Sequence, residues 1–223
     1  MTYKQSLNIL NFQLGRFDGD GEFDIPKIEP FGSGEMLDVP AFVGFGEKCD
    51  SPNEYGCHFF LDDYRFQRVW NSPIRYIEIL RRYKYVLSPD FSMFTDYPKA
   101  LSLYNHYRKH WCARFWQENG IDVIPVVNWI YEDSYSWCFD GEPHESIVAV
   151  STTGINNNKA MIEMFANGYE AMEKALNPKQ VLWFGKYVFD KLKPNVTFAI
   201  TTFEDRITML RQKHGKEKRN GTR

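Results

Sequence analysis

The sequence predicts an α/β protein, a compact or incomplete (β/α) TIM-like barrel of about seven mainly parallel strands, with an open doubly wound sheet as the alternative. Three observations lead there. From Phe42 onward, short apolar runs alternate with longer segments of helical period. Most of the runs are continuously apolar, as strands buried on both faces are. Strand, helix and strand repeated in this way imply right-handed parallel crossovers.

The first 40 residues make a poor start for a core. Gly15, Gly19, Gly21, Gly32 and Gly34 mix with Pro26, Pro30 and Pro40 and with an acidic stretch from Asp18 to Asp24. This predicts an irregular arm over residues 1–40, packed on the domain. Residues 41–210 are read as a single α/β domain. The expected strands are Phe42–Phe45, His58–Asp62, Lys84–Ser88, Asp122–Asn128, Ile147–Ser151, Val181–Phe184 and Val196–Thr201. Ser72-Pro73 offers a cap with proline at the first helical position, and Ile74, Ile77 and Leu80 follow on one face. A second helix opens near Asp96-Tyr97-Pro98, carries the stripe Ala100, Tyr104, Tyr107, Trp111 and Phe115, and stops at Gly120. A third opens among Asn156, Asn157 and Asn158. Its stripe is Met161, Met164, Phe165, Gly168, Met172 and Leu176, and Asn177-Pro178 ends it. Residues 211–223 read as a basic flexible tail.

At 43% hydrophobic and 17% aromatic, the 223 residues supply ample core, which excludes disorder for most of the chain. No apolar run approaches the ~18 residues of a membrane span, so no membrane partner is expected. Met1 to Phe17 is broken by Lys4, Asn8, Asn11 and Arg16 and lacks the apolar stretch of a signal peptide. Cys49, Cys57, Cys112 and Cys138 sit at unrelated spacings and are expected to be free thiols in a reducing, cytoplasmic setting. The net charge of −2 conceals segregation: residues 1–63 and 117–177 each carry −8, and 64–116 and 178–223 each carry +7. The two basic segments nominate a nucleotide or nucleic-acid partner, unless folding sets the acidic segments against them.

In a parallel α/β protein the chemistry sits past the carboxyl ends of the strands. Asp90, in Ser88-Pro89-Asp90-Phe91-Ser92, follows a strand and a rigid proline, which holds its carboxylate at a defined place. There it can be general base, nucleophile or metal ligand; the structural alternative is a loop acceptor for backbone amides. Ser92 stands beside it. Asp62 and Asp63 stand at the end of the preceding expected strand and, with Asp90, are the carboxylates available to a divalent cation; the alternative is one helix cap and one solvated acid. Asn128 ends a further strand, with Trp129 beside it. Ser151-Thr152-Thr153-Gly154 combines hydroxyls, glycine and a following helix, which suits a phosphate or an ordinary turn, and Lys186 after Gly185 can neutralise an anion on that face. His106 and His110, four residues apart beside Arg108, Lys109 and Arg114, read as a surface face. Trp129 to His144 is an aromatic, acidic loop expected to be a lid or partner surface, or to fill the end of the barrel.

Several of these segments stand in an order that resembles a known family. His58-Phe59-Phe60-Leu61-Asp62-Asp63, Leu87-Ser88-Pro89-Asp90-Phe91-Ser92, Ile124-Pro125-Val126-Val127-Asn128-Trp129, Phe139-Asp140-Gly141, Val150-Ser151-Thr152-Thr153-Gly154 and Phe184-Gly185 are similar to motifs of the family catalogued as domain of unknown function 4417. That family is found mainly in bacteria, their phages and mobile elements. The resemblance implies a bacterial or phage cytoplasmic setting and a coherent core from about Cys57 to Lys186, and it supplies no activity.

The leading expectation is an enzyme acting on a nucleotide or nucleic acid. Its site would hold Asp90, Asp63 or Asp62, Asn128 and Ser151, and carboxylate-assisted hydrolysis or glycosyl-type transfer would be its chemistry. Two rivals are a non-catalytic protein of a mobile element that binds nucleic acid or host protein, and an anti-defence protein that sequesters a nucleotide.

Overall fold

The computed structural model describes residues 10–32, 36–38, 40–155 and 158–201. The expected tail at 211–223 and the helix opening at Asn156 and Asn157 lie outside the described residues. In the arm, β1 (Gly19–Asp20) and β2 (Ile25–Pro26) form a short antiparallel hairpin. Arm residues tie to the rest of the chain: Trp111 Nε1 donates to Gly15 O at 3.1 Å, and Ile28 N to Gly141 O at 2.9 Å.

Among the described residues seven strands then follow, with α-helices in three of the six connections between them. β3 (Phe42–Gly44), β4 (Gly56–His58), β5 (Tyr85–Leu87) and β6 (Val123–Ile124) form a four-stranded parallel sheet. β7 (Ile147–Ser151), β8 (Gln180–Phe184) and β9 (Val196–Phe198) form a three-stranded parallel sheet. Between β4 and β5 stand α1 (Asp63–Phe66), α2 (Arg68–Asn71) and α3 (Pro73–Leu80). α4 (Lys99–Glu118) joins β5 to β6, and α5 (Lys159–Leu176) joins β7 to β8. Asn158 caps α5 by accepting from Ala160 N, and Asn177 ends it in the left-handed region at φ 46.

The architecture is therefore mixed α/β with two parallel sheets, in place of one continuous seven-stranded ladder. The strand order is sequential in both, so the order reversal that makes a doubly wound sheet is absent among the described residues. Single parallel bridges stand where the sheets meet, Val126 to Ala149 on one side and Ala41 to Ile200 on the other. The sheets also share a core: Phe42, Tyr85, Leu87 and Ile124 pack with Ile147, Ala149, Leu182 and Phe184. Their strand neighbours point the other way. Val86 packs beneath the helices of the first sheet, and Val148, Val150, Val181 and Trp183 pack against α5. Both faces of these strands are thus apolar and buried, which explains their unbroken hydrophobic runs. Ser88 is fully buried and its Oγ accepts from Val126 N at 2.8 Å, continuing the β5–β6 contact past the last ladder pair.

Three expectations need correction. The ladder ends at His58, because Leu61 N turns back onto Phe59 O and Phe59 leaves to stack on Phe45 and Trp116. The polar face of α4 is interior: His106, Arg108, Lys109 and His110 are all buried. The arm and the Phe139–Glu142 turn cover that face, with His110 Nδ1 against Pro26 O at 3.0 Å and His106 Nε2 against Asp140 O at 3.3 Å. The loop from Trp129 to His144 is tucked in rather than an open lid. It holds a short 3-10 turn at Glu132–Ser136, with Ile130, Ser134, Cys138 and Glu142 buried.

Candidate functional site

Parallel strands direct all their carboxyl ends to one side, and there the loops after β4, β5, β6 and β7 surround a cavity of about 510 Å³. Asp62 and Phe60 come from the first loop, Asp90 and Ser92 from the second, Asn128 and Trp129 from the third, and Ser151, Thr153 and Gly154 from the fourth. Met161, Met164 and Phe165 of α5 complete an apolar wall, and Arg65 of α1 adds a cation. Three of the sequence-nominated residues stand elsewhere: Asp63, Thr152 and Lys186 do not line this cavity.

Asp90 is the end of a buried polar chain. Asn128 Nδ2 donates to Asp90 Oδ1 at 3.1 Å, and Asn128 Oδ1 accepts from Lys109 Nζ at 3.0 Å. Lys109 Nζ also donates to Val126 O and to Glu142 Oε1, each at 2.8 Å. Burial pushes the Asp90 carboxyl up to about 7, against the pull of the Lys109 charge; Asp63 adds to the rise, and the Asn128 hydrogen bond opposes it. Burial also raises Glu142, but Lys109 and then His110 outweigh it and hold that carboxyl below its usual range. Burial lowers His110, opposed by Glu142, whose Oε1 lies 3.1 Å from His110 Nε2.

Asp63 has a local structural partner set. Its carboxylate accepts from Ser92 Oγ at 2.8 Å and from Ser92 N at 3.2 Å, and Arg108 Nη2 lies 3.6 Å away. Arg108 in turn stacks 3.7 Å over the Phe91 ring, so Asp63 pins the loop that presents Asp90. Asp62, by contrast, is exposed at the cavity rim. Among the described residues, no group of three His, Cys, Asp or Glu side chains is placed to hold a metal ion.

The Ser151–Gly154 turn satisfies itself in part. Ser151 Oγ donates to Thr153 Oγ1 at 2.8 Å and accepts from Thr153 N at 3.0 Å. Thr152 turns inward, and its Oγ1 reaches Phe184 O at 3.2 Å and Lys186 O at 2.9 Å. Gly185, at φ +86, is needed there, since a Cβ would stand 2.5 Å from Thr152 Oγ1. Lys186 is exposed, and its carbonyl is what meets Thr152.

Sequence reading missed Lys109, Glu142 and Arg65. A signal for Lys109 was present: Ser102, Asn105, Lys109, Cys112 and Trp116 recur at steps of 3 and 4, and all are buried. Glu142 carried no such pattern. Folding also sets acidic segments against basic ones, pairing Arg65 with Glu47, Arg114 with Glu29, Lys99 with Asp133, Arg108 with Asp63 and Lys193 with Glu173.

Among known proteins, the chain is 39% identical over 203 residues to the Gene 1 protein of Mycobacterium phage D29, covering 87% of this chain and 73% of that protein. It is 35% identical over 190 residues to the Gene 1 protein of Mycobacterium phage L5, covering 83% of this chain and 80% of that one. No solved structure matches it. The motifs clustered at the strand ends lie within residues 17–204, which match the family described as Domain of unknown function (DUF4417), and the chain belongs to that family.

Proposed function

We propose that this protein is an enzyme whose cavity takes a nucleotide-sized ligand and whose Asp90 transfers protons in carboxylate-assisted hydrolysis or glycosyl-type transfer. One observation carries the reading: a carboxyl raised to about 7 lines a 510 Å³ cavity and is aimed by Asn128 and, through it, by buried Lys109. A group with that pKa is present in both forms near neutral pH, so it can protonate a leaving oxygen or take a proton from water. Asp62 is the second carboxylate at the cavity. The volume falls within the range of ordinary small-molecule sites. The apolar faces of Trp129 and Phe165 suit a planar ring, and Arg65 with the hydroxyls of Ser151 and Thr153 suits its phosphate.

The single bridges at both sheet junctions and the shared core support one further reading: the seven parallel strands form a single small barrel with this cavity at its carboxyl-terminal mouth. The proposed setting is the bacterial cytoplasm, in keeping with four free thiols, three of them buried.

Thermal melts against a panel of nucleosides, nucleotides and sugar phosphates, with and without Mg²⁺, test the function. At least one compound should raise the melting temperature by several degrees and be consumed on incubation, as followed by NMR. Asp90→Asn should keep the thermal shift and lose the turnover. The nucleotide-sequestering reading, favoured by the Met161, Met164 and Phe165 wall, is separated by the same data, because it expects the shift without turnover in the parent. A parent shifted by none of the compounds would defeat both readings.

A further inference from the structure

The connection from β3 to β4 contains no α-helix, only a 3-10 turn at Pro52–Glu54. Between this connection and the α2–α3 pair lies a second cavity of about 390 Å³, which shares no lining residue with the first. Arg68, Arg75 and Arg82 all line it. Arg68 stands on α2, Arg75 on α3 and Arg82 in the turn that follows α3, so the bend at Ser72 and the exit from α3 bring all three to one groove.

These arginines are unlike the other basic groups of segment 64–116. Arg65, Arg81, Lys99, Arg108, Lys109 and Arg114 each have a carboxylate within 4.0 Å. Among the described residues Arg68, Arg75, Arg82 and Lys84 have none, and three of those four converge on this groove. Arg68 is positioned by shape and stacking. Its guanidinium lies 4.9 Å over the Phe45 ring and 5.8 Å from that of Tyr76. Gly46, at φ +84, lets the backbone approach it, because a Cβ there would come within 2.8 Å of Arg68 Nη2. A stacked guanidinium keeps its in-plane N–H donors available, the geometry that suits a phosphate oxygen pair. Glu47 is the acidic residue at the rim, and its carboxylate already accepts from Gly44 N and faces Arg65.

We propose that the groove lined by Arg68, Arg75 and Arg82 binds a phosphate-bearing anion, with the three guanidinium groups on adjacent phosphate units. The inference is independent of the Asp90 cavity. The shared chemistry is a run of phosphates, from a free polyphosphate or from a nucleic-acid backbone, and the two sources are separable by experiment.

Isothermal titration of the full chain at low salt, with inorganic triphosphate and separately with a short single-stranded oligonucleotide, provides the test. The variant is the double change Arg75→Ala/Arg82→Ala, since both residues are exposed and, among the described residues, their side chains hold no hydrogen bond or ion pair. It should melt as the parent does without ligand, and bind triphosphate at least ~10-fold more weakly, with steep salt dependence in the parent. Asp90→Asn should bind as the parent does. Weakening confined to the oligonucleotide would assign the groove to a nucleic-acid backbone; weakening with triphosphate would assign it to a free phosphoanion. Equal binding of both probes by parent and variant, or binding of neither by the parent, overturns the proposal.

Discussion

Lys109 Nζ donates to Glu142 Oε1 at 2.8 Å with the two side chains sealed from solvent, at 1% and 0% exposure. Burial of the Lys109 charge is tolerable because every ammonium proton finds an acceptor: Glu142, Asn128 and the carbonyl of Val126. One hydrogen bond further on, the same chain reaches Asp90 in the cavity. The pair therefore belongs to stability and to the site together.

Replacing Lys109 with Met should leave Glu142 a buried charge with His110 as its one remaining side-chain partner among the described residues, and should cost roughly 3–5 kcal/mol in urea unfolding. Lys109→Met/Glu142→Leu should recover much of that loss, because the uncompensated charge goes with its partner. A single variant within about 1 kcal/mol of the parent would contradict this account of the pair.

Asp90 sets a pH dependence whose sign follows from its shift. Folding raises its pKa from 3.8 to about 7, so the native state holds the proton more tightly than the unfolded chain. Its stabilising contribution is complete below the unfolded value and is lost as the pH climbs through the folded one. Asp90→Asn keeps an acceptor for Asn128 and removes the titration. The variant should gain on the parent by a few degrees in thermal melts between pH 5 and pH 8. A pH-independent difference between the two proteins would show that Asp90 does not titrate as described.

Gly168 of α5 faces Trp129, and an added Cβ would stand 2.1 Å from the indole Cδ1 and Nε1. Gly168→Ala gains roughly 1 kcal/mol of helix propensity but drives the ring off its seat, at roughly 1–3 kcal/mol for overpacking. The expected result is a net loss in denaturant unfolding. A smaller thermal shift with any cavity ligand should accompany it, since Trp129 lines that space. A stabilised variant with unchanged ligand response would refute the contact.

Ser88→Ala should cost about 1–3 kcal/mol, because it leaves the buried Val126 N–H without its acceptor. Hydrogen exchange at Val126 should accelerate selectively. Unchanged protection there would show that the Ser88 hydroxyl is dispensable to the β5–β6 contact.

Much of the fold was legible because burial on both faces leaves its mark on every residue of a strand. Six of the seven expected strands after Phe42 contain a ladder segment, the expected His58–Asp62 strand meets the ladder only at His58, and the three expected helices stand between strands as read, with Asn177 ending α5. The co-lining of one cavity by Asp62, Asp90, Asn128, Trp129 and Ser151 was legible for a related reason: strands that run parallel deliver their following residues to one side. Asp63 misled, since its position past a strand is the same as that of a site residue, and only the approach of Ser92 and Arg108 shows that it is a brace.

Local pattern by itself determined the alternation of elements, the parallel crossovers and the end of the sheet on which polar groups gather. These depend on periodicity and on backbone handedness, which neighbouring residues carry. Tertiary structure alone decided which charges are solvated. Lys109 and His110 read as a surface face until the arm at Pro26 and the turn at Glu142 close over α4, and the basic segment 64–116 reads as a free patch until acids from distant segments meet it. The energy of a charge depends on what lies within a few ångströms of it, and residues 84 apart, like Pro26 and His110, are brought that close only by the fold.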